Sequence, residues 1–146
     1  AANDDLEDCI RFCAYLFSAT VTEDTPFRFL CNGLDSSTDK PVCTAESLGA
    51  AFALEQSRTL ARLLVDNPKK IDRFLQEDAA SLSSSQLILV STYLDENLKA
   101  FVREKARRGI PVAVFVRGRI LPSDFEDGTY SLFLLQGREN KEATLL

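Results

Sequence analysis

Ser91, Thr92 and Asp95 are the polar residues best placed for chemistry. They follow the apolar run Leu87-Ile88-Leu89-Val90 and lead into an acidic helix start at Asp95-Glu96. Ligands of open α/β sheets collect where strands open into helices at their carboxyl ends. A hydroxyl pair and a carboxylate at such a junction could hold a cation or an anion. The simpler assignment is helix capping, because Asp95 and Glu96 sit at the positive end of a helix dipole. A second group is basic: Arg103, Lys105, Arg107, Arg108, Arg117 and Arg119. It could form a surface for phosphate or for an acidic partner. Its first four members lie at a helix C-terminus, where positive charge is favoured in any case. A third group, Asp35-Ser36-Ser37-Thr38-Asp39, has the oxygen-rich spacing of a hard-cation loop. It lacks the glycine and distal glutamate of an EF-hand and reads more simply as a solvated hairpin turn.

Several chemistries are excluded by residue type. Histidine is absent. Its absence removes Ser–His and Cys–His nucleophile pairs, HExxH zinc sites and phosphohistidine chemistry. Neither a GxGxxG nor a GxxxxGK[ST] phosphate cradle occurs. The four cysteines, Cys9, Cys13, Cys31 and Cys43, contain no CxxC knuckle. They are expected to be free thiols, with Cys9 and Cys13 on the buried face of the first helix beside Leu6, Ile10 and Phe17. Cys31 and Cys43 could face each other across a hairpin. No catalytic residue, cofactor or metal ligand is expected.

The elements that must position these residues follow from the apolar patterning. Leu87–Ser91 and Val112–Val116 are short apolar runs without alternation, as in strands buried on both faces. Between them lies a helix that ends in Lys105-Ala106-Arg107-Arg108-Gly109. Strand, helix and strand in that order predict a right-handed βαβ crossover and a parallel sheet. Upstream, Asp4, Asp5, Glu7 and Asp8 favour the start of a helix over residues 4–19. Phe27–Cys31 reads as a strand ended by Asn32-Gly33, with an antiparallel return strand at 41–44. A long helix is expected over 47–65, stopped by Asn67-Pro68, with Leu48, Ala51, Phe52, Leu60, Leu63 and Leu64 inward. Ile71, Phe74 and Leu75 mark a shorter helix, and 81–85 a loop. After an irregular stretch at 117–128, a last strand is expected near 130–135, then a frayed tail at 136–146. The fold class is therefore α/β: three layers, a mostly parallel sheet containing strands 27–31, 87–91 and 112–116, helices on both faces and an antiparallel edge hairpin strand.

A chain of 146 residues is expected to form a single domain over 1–146. Its composition, 45% hydrophobic and 27% charged, is that of a globular protein. A net charge of −5 argues against broad nucleic-acid binding. No run approaches the roughly 18 apolar residues that span a bilayer. The absence of Met implies that the sequence is processed or is a piece of a longer protein.

The order of these elements carries a family resemblance over residues 6–117. A first helix precedes the strand with Asn32-Gly33 and its return strand, and the helix containing Leu48-Gly49, Leu60-Ala61 and Leu63-Leu64 comes next. Strand Leu87–Ser91, the Arg107-Arg108-Gly109 helix end and strand Val112–Val116 complete the match. The pattern resembles the von Willebrand factor A-like domain of the bacterial family called domain of unknown function fifty-eight, truncated at its start. That resemblance implies a non-catalytic interaction or accessory module in the cytoplasm, the soluble part of a membrane-anchored protein. It also implies a protein partner of the MoxR-type AAA ATPase class. The family's Asp-x-Ser-x-Ser metal motif and first strand are not in this sequence, and Ser91-Thr92-Tyr93 stands where a later metal aspartate would be. No metal residue is therefore carried over. The same block also resembles half of a phospholipase D-like domain, which would be inactive here without its His-x-Lys motif, leaving a degenerate phosphate-ester-binding domain as the alternative. The missing first strand leaves strands 27–31 and 87–91 either paired directly, as expected, or open at an edge to a second copy.

Overall fold

The computed structural model describes residues 2–64, 69–77 and 86–136. The order of elements is α1 (Ala2–Thr22), β1 (Leu30–Asp35), β2 (Lys40–Cys43), α2 (Ala50–Ala61), β3 (Leu63–Leu64) and α3 (Ile71–Glu77), followed by β4 (Leu87–Ser91), α4 (Glu96–Arg107), β5 (Val112–Val116), a 3-10 turn (Pro122–Glu126) and β6 (Ser131–Leu134). The α/β class holds. The single mostly parallel sheet does not: β2-β1-β3 and β4-β5-β6 form separate three-stranded sheets. The chain accordingly divides into two compact units, residues 1–11 with 83–146 and residues 12–82. The expected stop at Asn67-Pro68, the 81–85 loop and the tail beyond Gln136 lie outside the described residues.

The 83–146 unit is built on the expected βαβ crossover. β4 pairs in parallel with β5 over its full length, from Leu87 opposite Val112 to Ser91 opposite Val116. β6 adds a third parallel strand, with Ala113 opposite Ser131 and Val116 opposite Leu134. Alternation along β5 buries Val112, Val114 and Val116. α4 packs against β5 and buries Leu98, Phe101 and Val102, the i, i+3, i+4 positions of one helical stripe. The Asp95 side chain caps it by accepting from the Leu98 N–H at 2.9 Å. Its other end closes as a Schellman motif, with Ile110 N–H on Lys105 O and Gly109 N–H on Ala106 O. Gly109 has a φ of 88°, which glycine adopts without steric penalty.

In the 12–82 unit, β1 pairs antiparallel with both neighbours. Strand β1 starts later than expected and runs through Asn32-Gly33, which form an irregularity in its ladder with β2 rather than its end. The expected direct pairing with the Leu87–Ser91 strand is absent: β1 has β2 on one edge and β3 on the other. Phe27 is held instead by a bridge to Ser47, and the same bridge keeps Ser47 out of α2. α2 therefore begins only after Gly49, whose φ is 103°. It ends at Ala61, so Leu63 and Leu64 leave the expected helix and become strand β3. The buried face of α2 is Ala53, Gln56, Thr59 and Leu60. Of the inward set expected from the sequence, Leu60 is buried and Phe52 half-buried, whereas Leu48, Ala51 and Leu64 are exposed. The core of this unit is aromatic: Phe17 lies 5.1 Å from Phe27 and 5.0 Å from Phe29, and Phe27 lies 4.8 Å from Phe52. Such offset and edge contacts add to the area each ring buries.

The cysteines are free thiols among the described residues. The β1–β2 register sets Cys31 opposite Val42 and Leu30 opposite Cys43, so Cys31 and Cys43 do not face each other. Cys9 is buried, Cys13 and Cys31 are half-buried, and Cys43 is exposed. Burial pushes the Cys9 thiol up to about 11 and also raises that of Cys31. With a maleimide at neutral pH, Cys43 is expected to label first and Cys9 last, because the thiolate is the reacting form. Mass spectrometry of partially labelled protein checks the order, and early modification of Cys9 would contradict its burial.

Candidate functional site at the end of the parallel sheet

The structure brings Ser91, Thr92, Asp95 and Arg117 to the carboxyl end of β4 and β5, as the βαβ reading requires. Ser91 is buried, and its Oγ accepts from the Tyr93 N–H at 3.1 Å. Its carbonyl accepts from the Arg117 N–H at 3.0 Å. Asp95 is the cap of α4. The segments after β4 and β5 run close together here: a Cβ on Gly118 would lie 2.5 Å from the carbonyl oxygen of Thr92. Only glycine permits that approach without moving backbone. Arg117 does not project as a free cation. Its guanidinium donates to Asp8 at 2.9 Å and lies 3.6 Å from Asp5. The Asp8 carboxylate beside it raises the Arg117 value further.

Other members of the basic group read from the sequence are paired in the same way. Arg103 is held at 2.6 Å by Asp127. The Thr129 hydroxyl and then Arg103 keep the Asp127 carboxyl below its ordinary value. Arg108 pairs with Glu104 at 3.0 Å, one helical turn away. Lys105 sits over the Phe101 ring at 5.4 Å. Arg107 and Arg119 are exposed. Arg103, Arg108 and Arg117 are thus each paired with a carboxylate.

Little in the sequence pattern sets Lys99 apart from a surface lysine. It lies on the buried side of α4, and only its 7% side-chain exposure against 8% for Asp124 reveals an internal ion pair, at 2.5 Å. Glu96 adds a second contact at 3.1 Å. The Asp124 bond is the main cause that raises the Lys99 ammonium, and burial opposes it. Asp124 also accepts from the Leu121 N–H at 3.1 Å, which ties the 3-10 turn to the helix. The Tyr130 hydroxyl is buried near this cluster without a hydrogen-bond partner among the described residues, and burial raises its value. The sequence signal was faint: a lysine two residues from Phe101 on an otherwise apolar stripe.

In the 12–82 unit, the oxygen-rich Asp35–Asp39 segment is the hairpin turn. Thr38 and Asp39 N–H groups both donate to the Asp35 carbonyl. The Asp35 carboxylate is taken by Arg62 in a two-pronged contact at 3.1 and 3.2 Å, and by Ser37 at 2.7 Å. These bonds, the Arg62 guanidinium first, hold the Asp35 carboxyl well below the ordinary carboxylate range. A folded value below the unfolded one means that the ionised form is favoured by the fold. The Asp35 contribution to stability is therefore complete above the unfolded value of about 3.9 and is lost as pH falls through the folded value. The expected result is a constant gap between the urea midpoints of wild type and Asp35→Asn from about pH 8 to about pH 5, closing in more acid solution. A gap that widens on acidification would contradict the pairing.

Among the described residues, no three His, Cys, Asp or Glu side chains gather in a geometry that could hold a metal ion. No described helix is long and apolar enough to cross a membrane. Family models, curated proteins and solved structures were each compared with the chain, and none matches.

Proposed function

We propose that the chain is a non-catalytic accessory domain that acts by binding another protein. The observation that carries this reading is the state of the polar groups at the end of the parallel sheet. Asp95 is spent on capping α4, Ser91 on its own turn, and Arg117 on Asp5 and Asp8. A hydrolytic or transfer site needs a nucleophile within reach of a base and a donor set left open to the substrate. Asp95, Ser91 and Arg117 already have structural partners. The resemblance to the von Willebrand factor A-like domain of domain of unknown function fifty-eight supports the same reading, and it supplies a MoxR-type AAA ATPase as the partner to try first. Fold-level likeness alone does not assign activity, so the test must be biochemical. Purified chain titrated against such an ATPase at micromolar concentrations, followed by calorimetry, is expected to give a saturable complex. Hydrolysis of bis-p-nitrophenyl phosphate by the same preparation, abolished by Ser91→Ala, would overturn the reading in favour of phosphate-ester chemistry.

A further inference from the structure

β4 has β5 on one side and, among the described residues, no strand on the other. The ladder fixes which backbone groups are left over. Leu87 N–H donates to Pro111 O, and Ser91 O accepts from Arg117 N–H. With the parallel register between them, Leu87, Leu89 and Ser91 turn their backbone groups to β5. Ile88 and Val90 turn theirs to the open side. The Ile88 side chain, which stands on a face of the sheet, is 43% exposed.

The residues of β4 do not guard such an edge. Proteins blunt open strands with lysine, proline, bulges or very short strands. β2, the outer strand of the other sheet, carries exposed Lys40 and Pro41. β4 is Leu-Ile-Leu-Val-Ser, without charge, proline or bulge. This is the composition of a strand with neighbours on both sides.

We infer that the open edge of β4 pairs with β4 of a second copy of this chain, antiparallel and centred on Leu89, to form one continuous six-stranded sheet. The register is self-complementary. A two-fold axis at Leu89 sets Ile88 opposite Val90 of the other copy, and Val90 opposite its Ile88. Both outward-facing residues thus fall in hydrogen-bonded pairs, each exchanging two N–H···O bonds. Leu89 meets its own equivalent in the closer non-bonded position. No charge lies in β4, so the net charge of −5 places no like charges directly across the seam. A seam of one short strand is far smaller than the 20–30 residues a side of a standard interface. The dimer is therefore concentration-dependent and in rapid exchange with monomer. This inference stands on the sheet edge and is independent of the polar junction used above.

Proline at position 88 is the decisive substitution. It removes an N–H that points away from β5, so the β4–β5 ladder is retained, as proline tolerates edge positions of this kind. Proline at Leu132 does the same for the outer edge of β6, because the Leu135 N–H on Val116 O shows that the alternate residues of that strand face β5. Sedimentation of the purified chain over a hundredfold range of concentration is expected to show mass rising toward the dimer for wild type and for Leu132→Pro. Ile88→Pro is expected to stay monomeric throughout. Ile88→Lys, which alters only a partly exposed side chain, is expected to weaken dimerisation at least tenfold and serves if the proline variant fails to fold. A wild-type chain that stays monomeric at all concentrations would overturn the inference. So would folded Ile88→Pro or Ile88→Lys that dimerises like wild type, or loss of the dimer in Leu132→Pro alone.

Discussion

Replacing Asp124 with alanine is expected to destabilise the chain by roughly 3 kcal/mol, because it strands the buried Lys99 ammonium without its closest counter-ion. Glu96 remains 3.1 Å away, but its side chain is 82% exposed and its field is largely screened by water. The Leu121 N–H also loses its acceptor, which frees the start of the 3-10 turn. Removing both charges has a different consequence. A paired replacement, Lys99→Met with Asp124→Leu, fills the same space without a buried ion and is expected to recover most of the loss. Urea midpoints of the two variants and wild type make the comparison. A single Asp124→Ala variant within about 1 kcal/mol of wild type would show that Glu96 alone satisfies Lys99.

Leu98→Ala is the second substitution of large effect, with an expected loss of roughly 3 kcal/mol. Leu98 is fully buried, as are Val102 on the same helical stripe and Val114 and Val116 on β5. Truncation removes the transfer energy of the side chain and leaves a void that rigid neighbours cannot fill. Leu98→Met keeps the volume and is expected to cost less than about 1.5 kcal/mol. Near-equal urea midpoints for Leu98→Ala and wild type would mean that α4 does not seal the parallel sheet.

The βαβ half of the chain was legible because its signals are local. Two unalternating apolar runs, an Asp cap and an Arg-rich end before Gly109 lie within about thirty consecutive residues, and short-range rules act on such a span. The other half depends on contacts that sequence order hides. The Phe27–Ser47 bridge cuts the expected long helix short at its start. Leu63 and Leu64 look like a helical turn in the sequence, but pairing with Leu34 and Asp35 makes them strand. That pairing gives β1 a second neighbour within the hairpin sheet, where the sequence had suggested a partner from the parallel strands.

The candidate site was legible in position and not in state. Ser91, Thr92 and Asp95 do stand where a parallel strand opens into a helix. Whether Arg117 is available to a ligand is decided by Asp8, 109 positions away in the chain. Arg62 and Asp35, 27 positions apart, convert an oxygen-rich loop into a closed ion pair. Lys99 and Asp124 are interior charges, a class that sequence patterning assigns to the surface. Each of these pairings is long-range, and composition carries no trace of the partner.

Amide exchange along β4 tests most directly whether its outer edge is open and takes a second strand. In dilute protein, the Leu89 and Ser91 amides are expected to exchange slowly, since they bond to β5, while those of Ile88 and Val90 exchange fast. Raising the protein concentration is expected to slow Ile88 and Val90 selectively. Ile88 and Val90 amides as protected as Leu89 at the lowest concentration, or unchanged at the highest, would contradict it.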